Sequence, residues 1–218
     1  MHLALERFTS MDHDETIVSW QDICRHLAGT IPEVLLKPDA DGNTPLHMAG
    51  FWRLLHSSNN HMSTIMQVML IDKEQKVLTH QNKHGRTALH VVDIVNFRSC
   101  LPFLINHHEE VLRTQDGPLQ TPLHCCIRSH TGGVYEIVQL LICNSERVLI
   151  VEDNTGSLPL HAALQAGISD IATLVSLLGK VNSAFISQKK NLVGLKPISL
   201  AISNSADIEI VQILLALG

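Results

Sequence analysis

Apolar positions recur along this chain in a fixed phase. Val34, Val77, Val111 and Val148 are each followed by a leucine (Leu35, Leu78, Leu112, Leu149), and a fifth copy keeps Ile186 but has Ser187. Eleven residues before the valines stand Ile23, Met66, Cys100 and Ile137, all apolar. Eight residues after them come Gly42, Gly85 and Gly156; Gly194 holds the place after Ile186, and Leu119 breaks the rule after Val111. Two residues further on, near-identical tetrapeptides begin: "TPLH" at Thr44, "TALH" at Thr87, "TPLH" at Thr121 and "LPLH" at Leu158. "KPIS" at Lys196 is a weaker fifth copy. The tetrapeptides are 43, 34, 37 and 38 residues apart. Several position families agreeing in phase at such a period predict stacked structural units.

Within one period the pattern reads helix, turn, helix, loop. Residues 48–56 suit a short first helix, and 63–71 have the apolar spacing of an amphipathic second one. The third unit repeats this with 125–130, the breaker 131–133, and 134–142. A glycine before the tetrapeptide fits a turn that needs positive φ. Thr44, Thr87 and Thr121 suit the N-cap of a helix, and Pro45, Pro122, Pro159 and Pro197 suit its first turn. The tetrapeptide is thus a helix-start device. Thr caps, Pro sets φ, Leu enters the core, and His47, His90, His124 and His161 can hydrogen-bond backbone in the adjacent loop. Leu158 and Lys196 lack the capping hydroxyl, and Ser199 replaces the histidine.

The stretches "DGNTPLHMAG" and "HGRTALHVV" resemble ankyrin repeats, with long periods against the usual ~33 residues. The resemblance implies an all-α solenoid of antiparallel helix pairs joined by hairpin-like loops. Its units run approximately 1–41 (partial), 42–84, 85–118, 119–155, 156–193 and 194–218 (partial), in one domain over 1–218. Residues 2–7 and 20–27 read as parts of an earlier unit, and 208–217 as an apolar second helix without a polar cap. Contact with further repeats or another domain is expected at the ends.

Composition then narrows the class. Apolar residues are 45% and charged residues 17%, enough to build a core, while aromatics at 4% leave that core to aliphatic side chains. A net charge of -5 gives no footprint for nucleic acid. No apolar run reaches the ~20 residues of a membrane span. Five cysteines without paired spacing suggest reduced thiols and an intracellular setting, cytoplasmic or nuclear.

No catalytic constellation is visible, and neither an enzyme activity nor a cofactor is expected. The tetrapeptide histidines lie a full repeat apart, too far to share a metal ion with bonds near ~2 Å. His107 and His108 read as a solvated loop, and Cys125 diverges from its neighbour His124. Asp39, Asp41 and Asn43 alternate like a calcium loop, but no glutamate follows at the required distance, so they read as a turn. "HTGGVYE" lacks the Lys-Ser/Thr of a phosphate loop.

Function is therefore expected at the surface, as a non-catalytic scaffold for an unidentified protein partner. An alternative is a regulatory ankyrin segment of a larger multidomain enzyme or channel. The resemblance implies contacts from loop tips and first helices on a concave face. The tip positions are Asp41, Asn43, His84, Arg86, Asp116, Gln120, Thr155 and Ser157; the helix positions are Phe51, Trp52, Ile94, Val95, Arg128 and Gln165.

Overall fold

A computed structural model of the chain describes residues 36–47, 76–91, 109–129, 139, 146–166, 175 and 183–217. Helices and turns, but no strand, occur among them. The chain divides into two compact units, Met1–Val111 and Leu112–Gly218. The first holds α1 (Lys76–Thr79) and α2 (Ala88–Val91); α3 (Glu109–Arg113) carries the division. The second holds α4 (Pro122–Arg128), a 3-10 turn at Glu146–Ile150, α5 (Pro159–Ala166), α6 (Ser183–Gln188), α7 (Pro197–Ser203) and α8 (Ile208–Leu217). The stretches 2–7, 20–27, 48–56, 63–71 and nearly all of 134–142 lie outside the described residues.

Helices start where the tetrapeptides predict. Residues 45–47 are helical behind Thr44, and α2, α4, α5 and α7 open at the second tetrapeptide residue. At α4 the N-cap Thr121 accepts from the His124 N–H, while the Thr121 N–H donates to the His124 ring, so histidine takes the return half of a capping box. At α7 the N-cap is Lys196, with no side-chain cap, as its sequence implies.

The Val-Leu pairs do something the sequence pattern missed. Their phase alone assigns them no structure, and they form short helices: α1, α3 and the 3-10 turn. Val77, Leu78, Val111, Leu112, Val148 and Leu149 are all buried, as is Ile186 in α6. Adjacent residues on such a turn diverge by about 100°. Both can face inward only where the turn is wedged between packed elements. Val175, eleven residues before Ile186, is helical and buried, a fifth member of that apolar family.

In the second unit the first helices pack in sequence, α4 on α5 and α5 on α7, while α7 and α6 both pack on α8. Leu123, Ile127, Leu160, Leu164 and Leu200 are buried there. Ala162 and Ala163, fully buried, leave room for neighbouring helices to approach closely.

The hairpin turns position everything else. At each, an Asp or Asn three residues before the glycine position takes that residue's N–H on its carbonyl: Gly42 on Asp39, Gly85 on Asn82, Leu119 on Asp116, Gly156 on Asp153, Gly194 on Asn191. The four glycines have φ of 82°, 73°, 67° and 86°, and Leu119 takes the same place at 59°. The break in the glycine series is therefore one of residue type and not of backbone. A Cβ on Gly156 would lie 3.0 Å from the Leu192 nitrogen, whereas one on Gly194 would meet nothing. Gly156→Ala is expected to lower stability by about 2–3 kcal/mol, and Gly194→Ala by only about 1 kcal/mol from φ strain. Urea midpoints of the two variants check the difference; equal losses would mean that contact at Gly156 is irrelevant.

Candidate interaction surface

Each turn is built around one side chain. The Asp39 carboxylate accepts from the Asp41 and Asn43 N–H groups at 2.9 and 2.7 Å. Asn82 does the same for His84 and Arg86, Asp153 for Thr155 and Ser157, and Asn191 for Val193 and Leu195. Asp116 takes the Gln120 N–H. Of these five residues only Asp39, within a turn, and Asp116, as a tip, were named from the sequence; all five keep the repeat phase, three residues before each glycine position.

Neighbouring turns are then tied tip to tip by backbone. The Lys83 N–H donates to the Asp41 carbonyl at 3.0 Å, Asn154 to Pro118 at 3.0 Å, and Leu192 to Thr155 at 2.9 Å. Asn82 adds a buried amide bond to Asn43 at 2.8 Å, and the Gln115 amide reaches the Leu119 and Glu152 carbonyls. Such pairing satisfies backbone groups that a loop would otherwise leave to water.

The tetrapeptide histidines fasten the helix starts to the next turn. His47 Nδ1 accepts from the Thr44 N–H, and its Nε2 donates to the Arg86 carbonyl at 2.8 Å. His124 accepts from the Thr121 N–H and donates to the Ser157 carbonyl at 3.1 Å. An N–H aimed at Nδ1 requires its lone pair, so the backbone selects the neutral Nε2–H form. His90 and His161 keep the Nδ1 half, accepting from Thr87 and Leu158. The Nε2 of His161 faces the Leu195 backbone, the equivalent of Arg86 and Ser157, but closes no hydrogen bond. His80 joins the first of these bridges edge-on to His47, its Nε2 donating to the Gly42 carbonyl at 3.1 Å.

These surroundings suppress acid-base and nucleophilic chemistry. Burial holds the pKa of His47, His124 and His161 below the usual value, against smaller opposing effects from nearby backbone carbonyls. Burial, with Cys125 beside it, pushes the Cys126 thiol up to about 12. Among the described residues no three His, Cys, Asp or Glu side chains converge as a metal site would need. None of the described helices is long and apolar enough to cross a membrane.

The expected contact residues separate into groups. Asp41, His84, Thr155 and Gln165 are exposed. Arg86 and Gln120 are half-buried. Arg128 is too, its guanidinium paired with the Asp153 carboxylate at 2.8 Å. Asn43, Asp116 and Ser157 are buried and committed to the turn frame: Asn43 bridges Asp39 and Asn82, Asp116 caps its own turn, and the Ser157 carbonyl receives His124. Their side chains are not presented at a tip, because the turn needs its polar groups internally. Phe51, Trp52, Ile94 and Val95 lie outside the described residues.

Paired helices, repeated hairpin turns and inter-repeat bridges define a helical repeat protein. The comparisons give the fold and the kind of repeat. Residues 54–152 match the family model of ankyrin repeats, in three copies. The fold resembles an ankyrin repeat domain from Acinetobacter baumannii AYE, with a TM-score of 0.71 and 17% identity over 95% of this chain and 99% of that one. It also resembles the ankyrin repeat domain of Bcl-3, a unique member of the IkappaB protein family, with a TM-score of 0.68 and 21% identity over 91% and 78% of the two chains. No curated protein matches the sequence. Residues 54–152 match ankyrin repeats, and the fold of the chain is the ankyrin-repeat fold.

Proposed function

We propose that the chain is a non-catalytic scaffold that binds a protein partner through its hairpin tips and first-helix surfaces. The observation that carries this is a division of labour within each turn. One Asp or Asn, the backbone and the bridging histidine hold the tip, while the side chains of Asp41 and His84 project from it exposed. Gln165 is exposed on α5. Side chains on a rigid frame bind at a smaller ordering cost, because the backbone beneath them is already fixed. The reactive residue types support the same reading. Two of the buried histidines have both ring nitrogens engaged with backbone, and the Cys126 thiol is far from ionising.

The test compares proteins captured from a cell extract by the chain and by an Asp41→Ala, His84→Ala, Gln165→Ala variant. Loss of a reproducible set of captured proteins, with the melting temperature unchanged, is the expected result. Identical capture by both would remove the tips and first helices from the binding surface.

A further inference from the structure

The five hairpin tips are chemically unequal. The two residues before the glycine position are Ala40–Asp41, Lys83–His84, Gly117–Pro118 and Asn154–Thr155 in the first four turns, and Leu192–Val193 in the last. Tips normally hold small or polar residues because they lie in water. Leu192 and Val193 are 78% and 76% exposed. The fold does not ask for them: the turn uses the Val193 N–H and the Leu192 N–H, which any residue but proline supplies. The Leu192 side chain lies beside Gly156 of the preceding turn.

The charge around this tip is also unusual. Residues 171–206 contain four lysines and neither Asp nor Glu, in a chain whose net charge is -5. Lys189 is neutralised by Glu152 at 2.7 Å. Lys190 is exposed and makes no ion pair among the described residues, and Lys196 reaches only the neutral amide of Gln188. Two uncompensated positive charges therefore flank two solvent-facing aliphatic side chains.

We infer that the Leu192–Val193 tip, between Lys190 and Lys196, docks an acidic segment of a partner protein that carries an apolar side chain. This rests on the scaffold reading above and names the chemistry of one of its contacts. The aliphatic pair gives an apolar anchor, and the lysines select acidic flanks and speed encounter. A segment of extended or helical peptide is favoured over an anionic lipid surface. Two lysines contribute little to membrane attachment, and a flat anionic surface would also face the acidic remainder of the chain.

The probe is a phage-displayed library of random dodecapeptides, selected on the intact chain, with phosphatidylserine-containing vesicles as a second arm. Enriched peptides should combine Asp or Glu with Leu, Ile or Phe. Their binding should weaken about tenfold with Val193→Ser and with Lys190→Glu, and fall with added salt. Both positions are exposed, so thermal melts of the variants should match the parent. Peptides lacking acidic residues, peptides that bind both variants unchanged, an empty selection, or vesicle binding that Val193→Ser abolishes would each overturn the inference. Peptides lost on Asp41→Ala, His84→Ala, Gln165→Ala but kept by Val193→Ser would sink this tip alone and leave the scaffold reading standing. Failure of the scaffold reading is recognised separately, by unchanged capture from extract.

Discussion

Replacing His124 by alanine is expected to cost the second unit about 3–5 kcal/mol of stability, although the residue has no part in binding. The ring is fully buried. It accepts from the Thr121 N–H, lies 2.8 Å from the Thr121 hydroxyl and donates to the Ser157 carbonyl, 33 residues away in sequence. Removing it strands a buried donor and a buried acceptor, each worth about 1–3 kcal/mol, and leaves a cavity where the buried ring stood. The lost contact to Ser157 also frees the next turn, where Arg128 and Asp153 pair. Gln165→Ala, at an exposed position of α5, should stay within about 0.5 kcal/mol of the parent. Urea unfolding of the two variants checks both values; a His124→Ala midpoint equal to the parent's would mean the inter-repeat bridge contributes nothing.

Acidification is expected to begin destabilising the chain as pH falls below 6.5. The folded pKa values of His47, His124 and His161 lie below 6.5, chiefly because burial disfavours the charged ring. The geometry agrees: a proton on Nδ1 would confront the N–H of Thr44, Thr121 or Leu158. The unfolded chain takes up protons near pH 6.5 that the folded chain refuses. The stability these groups contribute is therefore full above 6.5 and is lost as pH falls from there through the folded values. Each refused proton costs about 1.4 kcal/mol per pH unit within that window. With His124 and His161 both in the second unit, its limiting slope is about 3 kcal/mol per pH unit.

Asp153 acts in a lower range. Desolvation pushes its pKa up, but bonds from the Thr155 hydroxyl and the Ser157 and Thr155 N–H groups outweigh this and bring it below 3.8. Its contribution is present above 3.8 and lost only as pH falls through the folded value. Urea midpoints measured from pH 7 downward should thus begin to drop as pH falls below 6.5, where the folded rings refuse the proton. A flat profile below 6.5 would contradict neutral, buried rings at these positions.

Much of this architecture could be read from residue phase. The helix starts at Pro122, Pro159 and Pro197 and the positive φ of Gly42, Gly85, Gly156 and Gly194 follow from local rules, since proline and glycine restrict or free their own backbone. The bridging role of the histidines was legible too, because a polar ring repeating in an apolar run needs a partner. The contact surface was harder to read. Asp41 and His84 reach solvent as expected, while Asn43 and Asp116, no less polar, face inward. Polarity alone does not distinguish a side chain that meets water from one that completes a turn.

Local sequence thus sufficed for where helices begin, where the chain reverses, and which residues repeat, because those choices are settled within a few bonds. Packing alone decided that Val77–Leu78 and its counterparts would coil into short helices, that Leu119 would tolerate a glycine's backbone, and that the Asn82 and Gln115 amides would reach a neighbouring turn. Those outcomes depend on neighbours 30 to 40 residues away, such as Arg86 for His47 and Ser157 for His124. A single repeat cannot satisfy its own buried groups, so their geometry exists only once the layers meet.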